Sequence, residues 1–390
     1  MRQSKILILF LIALLLVSSC IKPFDPSIDN KDVNKFVVSG QILDCGGDQV
    51  VSVSMSSSIN NPKTRPIKGC KVTVLDDKGN EFPMGDSGDG DYHVWIDSIY
   101  LTPGAAFKID VVTPEGIHIS SDFDRISECP PVDSIYFIRK DLPTIDPRIT
   151  IKGIQFYCNL DGRNTNSRYY RMEAVETWEY HADYPLEWWY DGGTAADVHH
   201  VFPPDYSRFV CWGTYKVQNI YTLSTANLIE NRYNLFPLNF VDNRTSRLVW
   251  GYSLLINQYA LSEASYTYWD QLRINSSIDG GLYNKQPLAI KGNLHNISNP
   301  DQDVLGFFGV ASIKSKRIFV RDVQNLELEY VSTCVPHSPG PRGLEDINPL
   351  TYPAFLMSNG HGFELIVLSP ECVNCLALGG TNIKPDFWPY

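Results

Sequence analysis

The alternation of apolar and polar residues predicts β-strands along most of the chain. In "FKIDV", Phe107, Ile109 and Val111 alternate with Lys108 and Asp110, as in a strand buried on one face. "FVVSGQILD" (36–44), "QVVSVSMSS" (49–57), "CKVTVLDDKGNEFPM" (70–84) and "GDYHVWID" (90–97) are further short runs separated by turn residues. Their spacing predicts an immunoglobulin- or transthyretin-like β-sandwich over residues 36–127. The proline-rich stretch "ECPPVDSIYFIRKDLPTIDP" then predicts a linker over 128–148 that contains one strand. From 149 to 390 the pattern predicts a larger antiparallel β domain, with an aromatic excursion at 181–211 and strand-like pieces at 304–313, 316–331 and 362–369. One segment departs from the period of two. In "LSEASYTYWDQLRINSS", Leu261, Ser265, Tyr268, Trp269 and Leu272 share a helical face, and Ser262 is a fitting N-cap, so a helix is expected over 262–277. The expected fold class is therefore mainly β, with one prominent helix.

The N-terminus has a different pattern. Arg2 and Lys5 precede twelve consecutive apolar residues, Ile6 to Val17, followed by Ser18, Ser19 and Cys20. This is the layout of a secretory leader over residues 1–19. As a helix the apolar run spans about 18 Å, well short of a hydrocarbon core of about 30 Å. Val17-Ser18-Ser19-Cys20 resembles a bacterial lipobox, in which the cysteine is lipidated and becomes the first mature residue. Residues 20–35, with Pro23, Pro26 and three aspartates, read as a tether. The lipobox resemblance implies a lipid-anchored protein, on a membrane face the sequence leaves open.

Composition narrows the partners. The formal charge is −11, and loss of Arg2 and Lys5 with the leader leaves 31 basic against 44 acidic residues, or −13. Nucleic acid is excluded as a partner, because phosphate recognition needs a basic face. Of the nine cysteines, eight remain after lipidation of Cys20. In an exported chain disulfides are expected, and a tie from Cys334 to Cys372 or Cys375 is the favoured one.

Four stretches carry a family resemblance: "KFVVSGQI" (35–42) after the lipidated cysteine, "QYALSEASYTYWDQL" (258–272), "QPLAIKGNLHNISNPDQDVLGFFGVASIKSKRIFV" (286–320) and "CVNCLALGGTNIKPDFW" (372–388). The chain resembles the DUF4249 family of Bacteroidota outer-membrane lipoproteins. Genes of that family often adjoin TonB-dependent receptors, so the resemblance implies an accessory lipoprotein of a nutrient-uptake system, with no catalytic residues and no cofactor. Cys70 stands where a small apolar residue is expected in the family, and a Cys45–Cys70 bridge special to this member is a further expectation.

Candidate chemistry is sparse. Cys372 and Cys375 form a CxxC that fits structural disulfides, a zinc site completed by Cys334 and His337, or a redox pair. His199, His200, Asp197, Asp191 and His181 lack a metal-ligand spacing, as do Asp86, Asp89 and Asp91 in "GDSGDGD", so no metal site is expected. The stretch "EYHADYPLEWWYDGG" offers Tyr184, Trp188, Trp189 and Tyr190 as contacts for a partner or ligand. No nucleophile elbow or phosphate loop is present. The function expected is a non-enzymatic accessory protein of a TonB-dependent receptor, capturing ligand or gating the barrel. A surface glycan hydrolase built on paired carboxylates and a structural envelope protein are the alternatives.

Overall fold

The computed structural model describes residues 35–57, 63–146, 148–276, 290–358 and 365–390. Cys20, the leader and all but the last residue of the tether lie outside the described residues. The fold is mainly β and is organised around one ten-stranded sheet. Across it run, in spatial order, Val210–Lys216, Tyr169–His181, Gly251–Ala260, Val304–Val320, Phe36–Leu43, Gly47–Met55, Asp91–Ile96 and Gly85–Asp86. Its neighbours are antiparallel except Phe36–Leu43 and Val304–Val320, which run parallel with Phe36 opposite Val304 and Leu43 opposite Ala311.

Each half of this sheet is covered by a smaller one. Over the half that holds Phe36–Leu43, Gly47–Met55 and Asp91–Ile96 lie Leu294–Asn296, His118–Ser121, Ala106–Val112, Lys71–Asp76 and Glu81–Pro83. The core between them holds Val38, Ile42, Val51, Tyr92, Phe107, Ile109 and Val111, all fully buried, so the alternation read in "FKIDV" does place one face inward. Over the half that holds Tyr169–His181 and Gly251–Ala260 lie Ser134–Pro143, Thr150–Asp161 and Arg232–Asp242, closing a second core around Ile154, Phe156, Tyr170, Tyr252 and Leu254.

The two sandwiches share a strand. The sequence pattern predicts separate pieces at 304–313 and 316–331, but one continuous strand, Val304–Val320, is found. Its first half pairs with Phe36–Leu43 and its second half with Gly251–Ala260. Beyond Val320 the chain turns at Asp322 and Asn325, whose φ of 53° and 60° are left-handed values that Asp and Asn tolerate. Leu294, Val304, Phe308 and Val310 belong to the first core, so residues far along the chain complete the N-terminal sandwich.

Buried polar groups fix the shared strand. The Asp124 carboxylate accepts from the Val310 N–H at 2.9 Å and the Arg125 N–H at 3.0 Å. Burial pushes its pKa above the ordinary carboxylate range. Asp44 accepts from the Ile313 N–H at 2.9 Å and from the Ser312 hydroxyl.

The helix spans Glu263–Ser276, and the Ser262 hydroxyl accepts from the Ser265 N–H at 3.1 Å, the expected N-cap. Position 277 of the expected range lies outside the described residues. The helix lies on the sheet beside the shared strand, with Leu261 and Tyr259 buried and Tyr268 stacked on Phe307. Buried Arg171 sits 4.3 Å over Tyr259 and 4.2 Å over Trp269 and donates to Gln41 at 2.9 Å, joining helix, second sandwich and first strand. Among the described residues no helix is long and apolar enough to cross a membrane.

The C-terminus returns to the large sheet. Trp388 is 3% exposed, abuts Gly251 and donates from Nε1 to Glu179 at 3.0 Å. Trp388→Ala is expected to cost about 3 to 5 kcal/mol by opening that slot. Urea unfolding measures this, and a loss below about 1 kcal/mol would show that the slot collapses without it.

Candidate functional site

A third lobe stands at the end of the large sheet where Tyr169–His181 finishes. Its four strands are Val198–Asp205, Leu186–Tyr190, Ala354–Ser358 and Leu365–Leu368, in that spatial order. The aromatic excursion at 181–211 is thus a hairpin. Thr194 and Asp197 shape its turn: the Asp197 carboxylate accepts the Thr194 N–H at 2.6 Å and its hydroxyl at 2.9 Å. The backbone donor above all holds the Asp197 pKa below the usual range.

Trp188 and Trp189 face opposite ways, as neighbours on a strand must. Each stacks on the histidine across the hairpin, Trp188 on His200 at 3.8 Å and Trp189 on His199 at 3.9 Å. Both tryptophans are half-buried, as is Tyr184, which packs against the Leu368, Cys372 and Val373 cluster. Tyr190 does not fit the expected contact role. It is 2% exposed, with its ring edge-on to Tyr352 at 5.4 Å and its hydroxyl donating to the Gly193 carbonyl at 3.0 Å. A ring at the centre of the lobe core, beside Ile347, Ala354 and Leu356, has no face left for a partner.

The exposed aromatics lie on the neighbouring loops. Tyr206, Phe209, His181 and Trp250 form a continuous ridge, with ring centroids 5.4 Å, 5.4 Å and 3.9 Å apart along it. Trp250 is 44% and Tyr206 60% exposed, and Phe202, nearby in sequence, is 84% exposed. Glu179 braces the ridge from beneath, accepting from His181 Nε2 at 2.8 Å on one oxygen and from Trp388 on the other. The sequence pattern missed Phe202, Tyr206 and Trp250, since each stands singly in a polar or mixed segment.

Two disulfides hold the C-terminal segment, one to the loop that precedes the lobe's last strands and one to the edge of the large sheet. Cys334 joins Cys372, one of the two expected pairings. Cys375 joins Cys211, a partner 164 residues away with no local signature. Each half of the CxxC is therefore spent on a different structural bond, which leaves neither a zinc site nor a redox pair. Cys45 and Cys70 are both free, so the expected bridge between them is not formed. Cys45 lies on the turn next to Gly47, which pairs with Ile96, whereas the Cys70 N–H donates to Tyr92 at 3.0 Å. Four strand residues separate those points, about 13 Å, far beyond disulfide reach. Burial raises the Cys70 pKa and pushes Cys129 and Cys158 up to about 11 and about 12, keeping these free thiols inert.

The histidines and aspartates weighed as metal ligands are otherwise engaged. His181, His199 and His200 are stacked on aromatic rings. Asp86 accepts the N–H groups of Gly69 and Gly88, and Asp89 accepts the Ser87 hydroxyl. Among the described residues no cluster of His, Cys, Asp or Glu could hold a metal ion.

Between the lobe's sheet and the loop that follows Cys334 lies a cavity of about 690 Å³, within the range of small-molecule sites. Ile347, Tyr352, Phe355 and Leu368 give it an apolar lining, and His337, Asn348, Ser369 and Asn374 add polar groups.

The family described as "Domain of unknown function (DUF4249)" matches residues 21–317. The chain belongs to the DUF4249 family. The DUF4249 match takes in both sandwiches and ends near the close of the shared strand, whereas the cavity lining, the CxxC and Cys334 lie beyond residue 317 and Cys211 lies within the match. No curated protein matches the chain. Among solved structures the chain is 11% identical to one titled "Complete structure of manganese lipoxygenase of Gaeumannomyces graminis and partial structure of zonadhesin of Komagataella pastoris". That likeness covers 60% of this chain and 91% of the other, and its TM-score of 0.15 bears on neither fold nor function.

Proposed function

We propose that this DUF4249 protein is a non-enzymatic outer-membrane lipoprotein, accessory to a TonB-dependent nutrient receptor, anchored through Cys20 and engaging ligand or receptor with its far end. The observation that carries this reading is the length and direction of the shared strand. Its first residue, Val304, pairs with Phe36, where the tether delivers the chain, and Lys35 there pairs with Asp303 at 3.2 Å. Its last residue, Val320, pairs with Tyr252, two residues after Trp250 of the aromatic ridge. The sixteen steps between span about 50 Å at 3.3 Å per strand residue. The ridge therefore stands about 50 Å along the shared strand from Phe36, where the tether joins the folded chain.

Anchoring at one end and aromatics at the other suit a protein that works on a neighbour in the same membrane. Tethering replaces free diffusion by a high local concentration, so a modest aromatic contact suffices for association. Tryptophan and tyrosine are the side chains that carry most energy in such contacts. Affinity purification from detergent-solubilised outer membrane tests the proposal. Recovery of a TonB-dependent barrel is expected, and recovery of the lipoprotein with no barrel protein would overturn the partnership.

A further inference from the structure

The large sheet is incomplete beside the second half of the shared strand. Phe36–Leu43 flanks Val304–Val320 only as far as Ala311, which lies opposite Leu43. There the chain turns away. The Asp44 N–H donates to the Ala311 carbonyl at 3.1 Å, and the Asp44 carboxylate accepts the Ile313 N–H at 2.9 Å. Both bonds lie on the side that Phe36–Leu43 occupies. Alternate residues of a strand aim their backbone groups the same way, so Ser315, Arg317 and Phe319 also point to that side. Gly251–Ala260 takes up the opposite edge, from Ser312 to Val320. Among the described residues, Ser315, Arg317 and Phe319 have no backbone partner on the vacated side. From Ile313 to Phe319 this open lane is about 20 Å long.

An unpaired edge is a template for a further strand, and its charge decides which strand is admitted. Residues 312–321 hold Lys314, Lys316, Arg317 and Arg321 and no acidic residue, in a chain of formal charge −11. Lys314, Ser315 and Lys316 are all exposed. Lys314 and Lys316 share one face of the strand, and among the described residues neither joins an ion pair; Lys316 Nζ donates to the Asp133 carbonyl at 2.6 Å. Arg317 is held on the other face, donating to Ser253 at 2.6 Å and lying 3.6 Å from the centre of the Phe387 ring. A second copy of this edge sets lysine against lysine, which like charges directly opposite disfavour. A strand with carboxylates two residues apart meets Lys314 and Lys316 whichever way it runs.

We infer that the lane beside Ile313–Phe319 takes an extended acidic segment of a partner protein as an added strand of the large sheet, with alternate carboxylates facing Lys314 and Lys316. Main-chain bonds to Ser315, Arg317 and Phe319 hold the segment, and the lysines select its charge. The inference goes beyond the receptor partnership and does not depend on it.

Calorimetric titration of the full-length lipoprotein in detergent, with amide hydrogen exchange read by mass spectrometry, provides the test. The probes are N-acetylated, C-amidated heptapeptides. They are Val-Asp-Val-Asp-Val-Asp-Val, its basic counterpart Val-Lys-Val-Lys-Val-Lys-Val, and Asp-Asp-Asp-Val-Val-Val-Val, which keeps the composition of the first without its alternation. The alternating acidic peptide should bind and slow exchange within residues 313–320, and the other two should do neither. Ser315→Pro removes one outward N–H at an edge position, where proline is tolerated. It should weaken binding at least tenfold while the circular dichroism spectrum is kept. Lys314→Glu combined with Lys316→Glu should lose the acidic peptide and gain the basic one. Absence of binding by the alternating acidic peptide at millimolar concentration overturns the inference. So does equal binding of the block peptide, protection confined to other parts of the chain, or binding that survives either variant. Co-purification of a barrel reads the receptor partnership separately, so the failure of one is distinct from the failure of the other.

Discussion

Cys20→Ala, expressed behind a leader cut by the general signal peptidase, is expected to move the protein from the outer-membrane fraction to the soluble periplasmic fraction. The reasoning is thermodynamic. Each methylene of an acyl chain buried in the bilayer contributes about 0.8 kcal/mol, one chain holds only reversibly, and several on one residue hold effectively without release. Among the described residues no helix is long and apolar enough to cross a membrane. The formal charge of the chain is −11, which is repelled rather than drawn by an anionic surface. Fractionation with a sodium carbonate wash gives the readout. An alanine variant that stays with the outer membrane through the wash would show that Cys20 is not the anchor.

The second large effect is on stability. Replacing Cys211 and Cys375 together by serine is expected to cost about 5 kcal/mol. The bridge closes a separation of 164 residues, and the chain-entropy estimate for a loop of that length is close to that value. The cost should be local in character. Cys375 anchors the segment whose Thr381 bridges to Trp212 and whose Trp388 fills the slot at Gly251. The variant should therefore expose the C-terminal segment to protease before either sandwich unfolds. Denaturant unfolding under oxidising conditions, read beside limited proteolysis, checks both parts. A loss below about 1 kcal/mol would mean that packing alone holds the segment.

Local pattern made much of this architecture legible. Phe107, Ile109 and Val111 alternate in sequence and are all fully buried. Ser262 reads as an N-cap and is one. The sequence favours a tie from Cys334 to Cys372 or Cys375, and its partner is Cys372. What local pattern does not hold is pairing over long separations. The parallel register of Phe36 with Val304 joins residues 268 apart, and no turn or alternation announces it. The same holds for Cys211, which has a partner only because the C-terminal segment returns to Val210–Lys216.

The aromatic lobe shows the limit most clearly. Leu186–Tyr190 contains a register irregularity between Leu186 and Trp188, and its partners on one side lie some 165 residues downstream. Without them, the four candidates Tyr184, Trp188, Trp189 and Tyr190 in "EYHADYPLEWWYDGG" look alike. With them, Tyr190 is core, Tyr184 packs beneath the disulfide segment, and the tryptophans are sheathed by histidines. The ridge of Tyr206, Phe209, His181 and Trp250 is assembled from three separate loops and strand ends, so only the fold brings it together.

The account rests on the far end of the molecule meeting a receptor in the same membrane. Placing a photo-crosslinking phenylalanine analogue at Trp250 in living cells, with Trp95 on the first sandwich as the comparison site, measures that contact directly. An adduct with a TonB-dependent barrel from position 250 and none from position 95 is the predicted result. A barrel adduct absent at 250, or equally strong at 95, would contradict it.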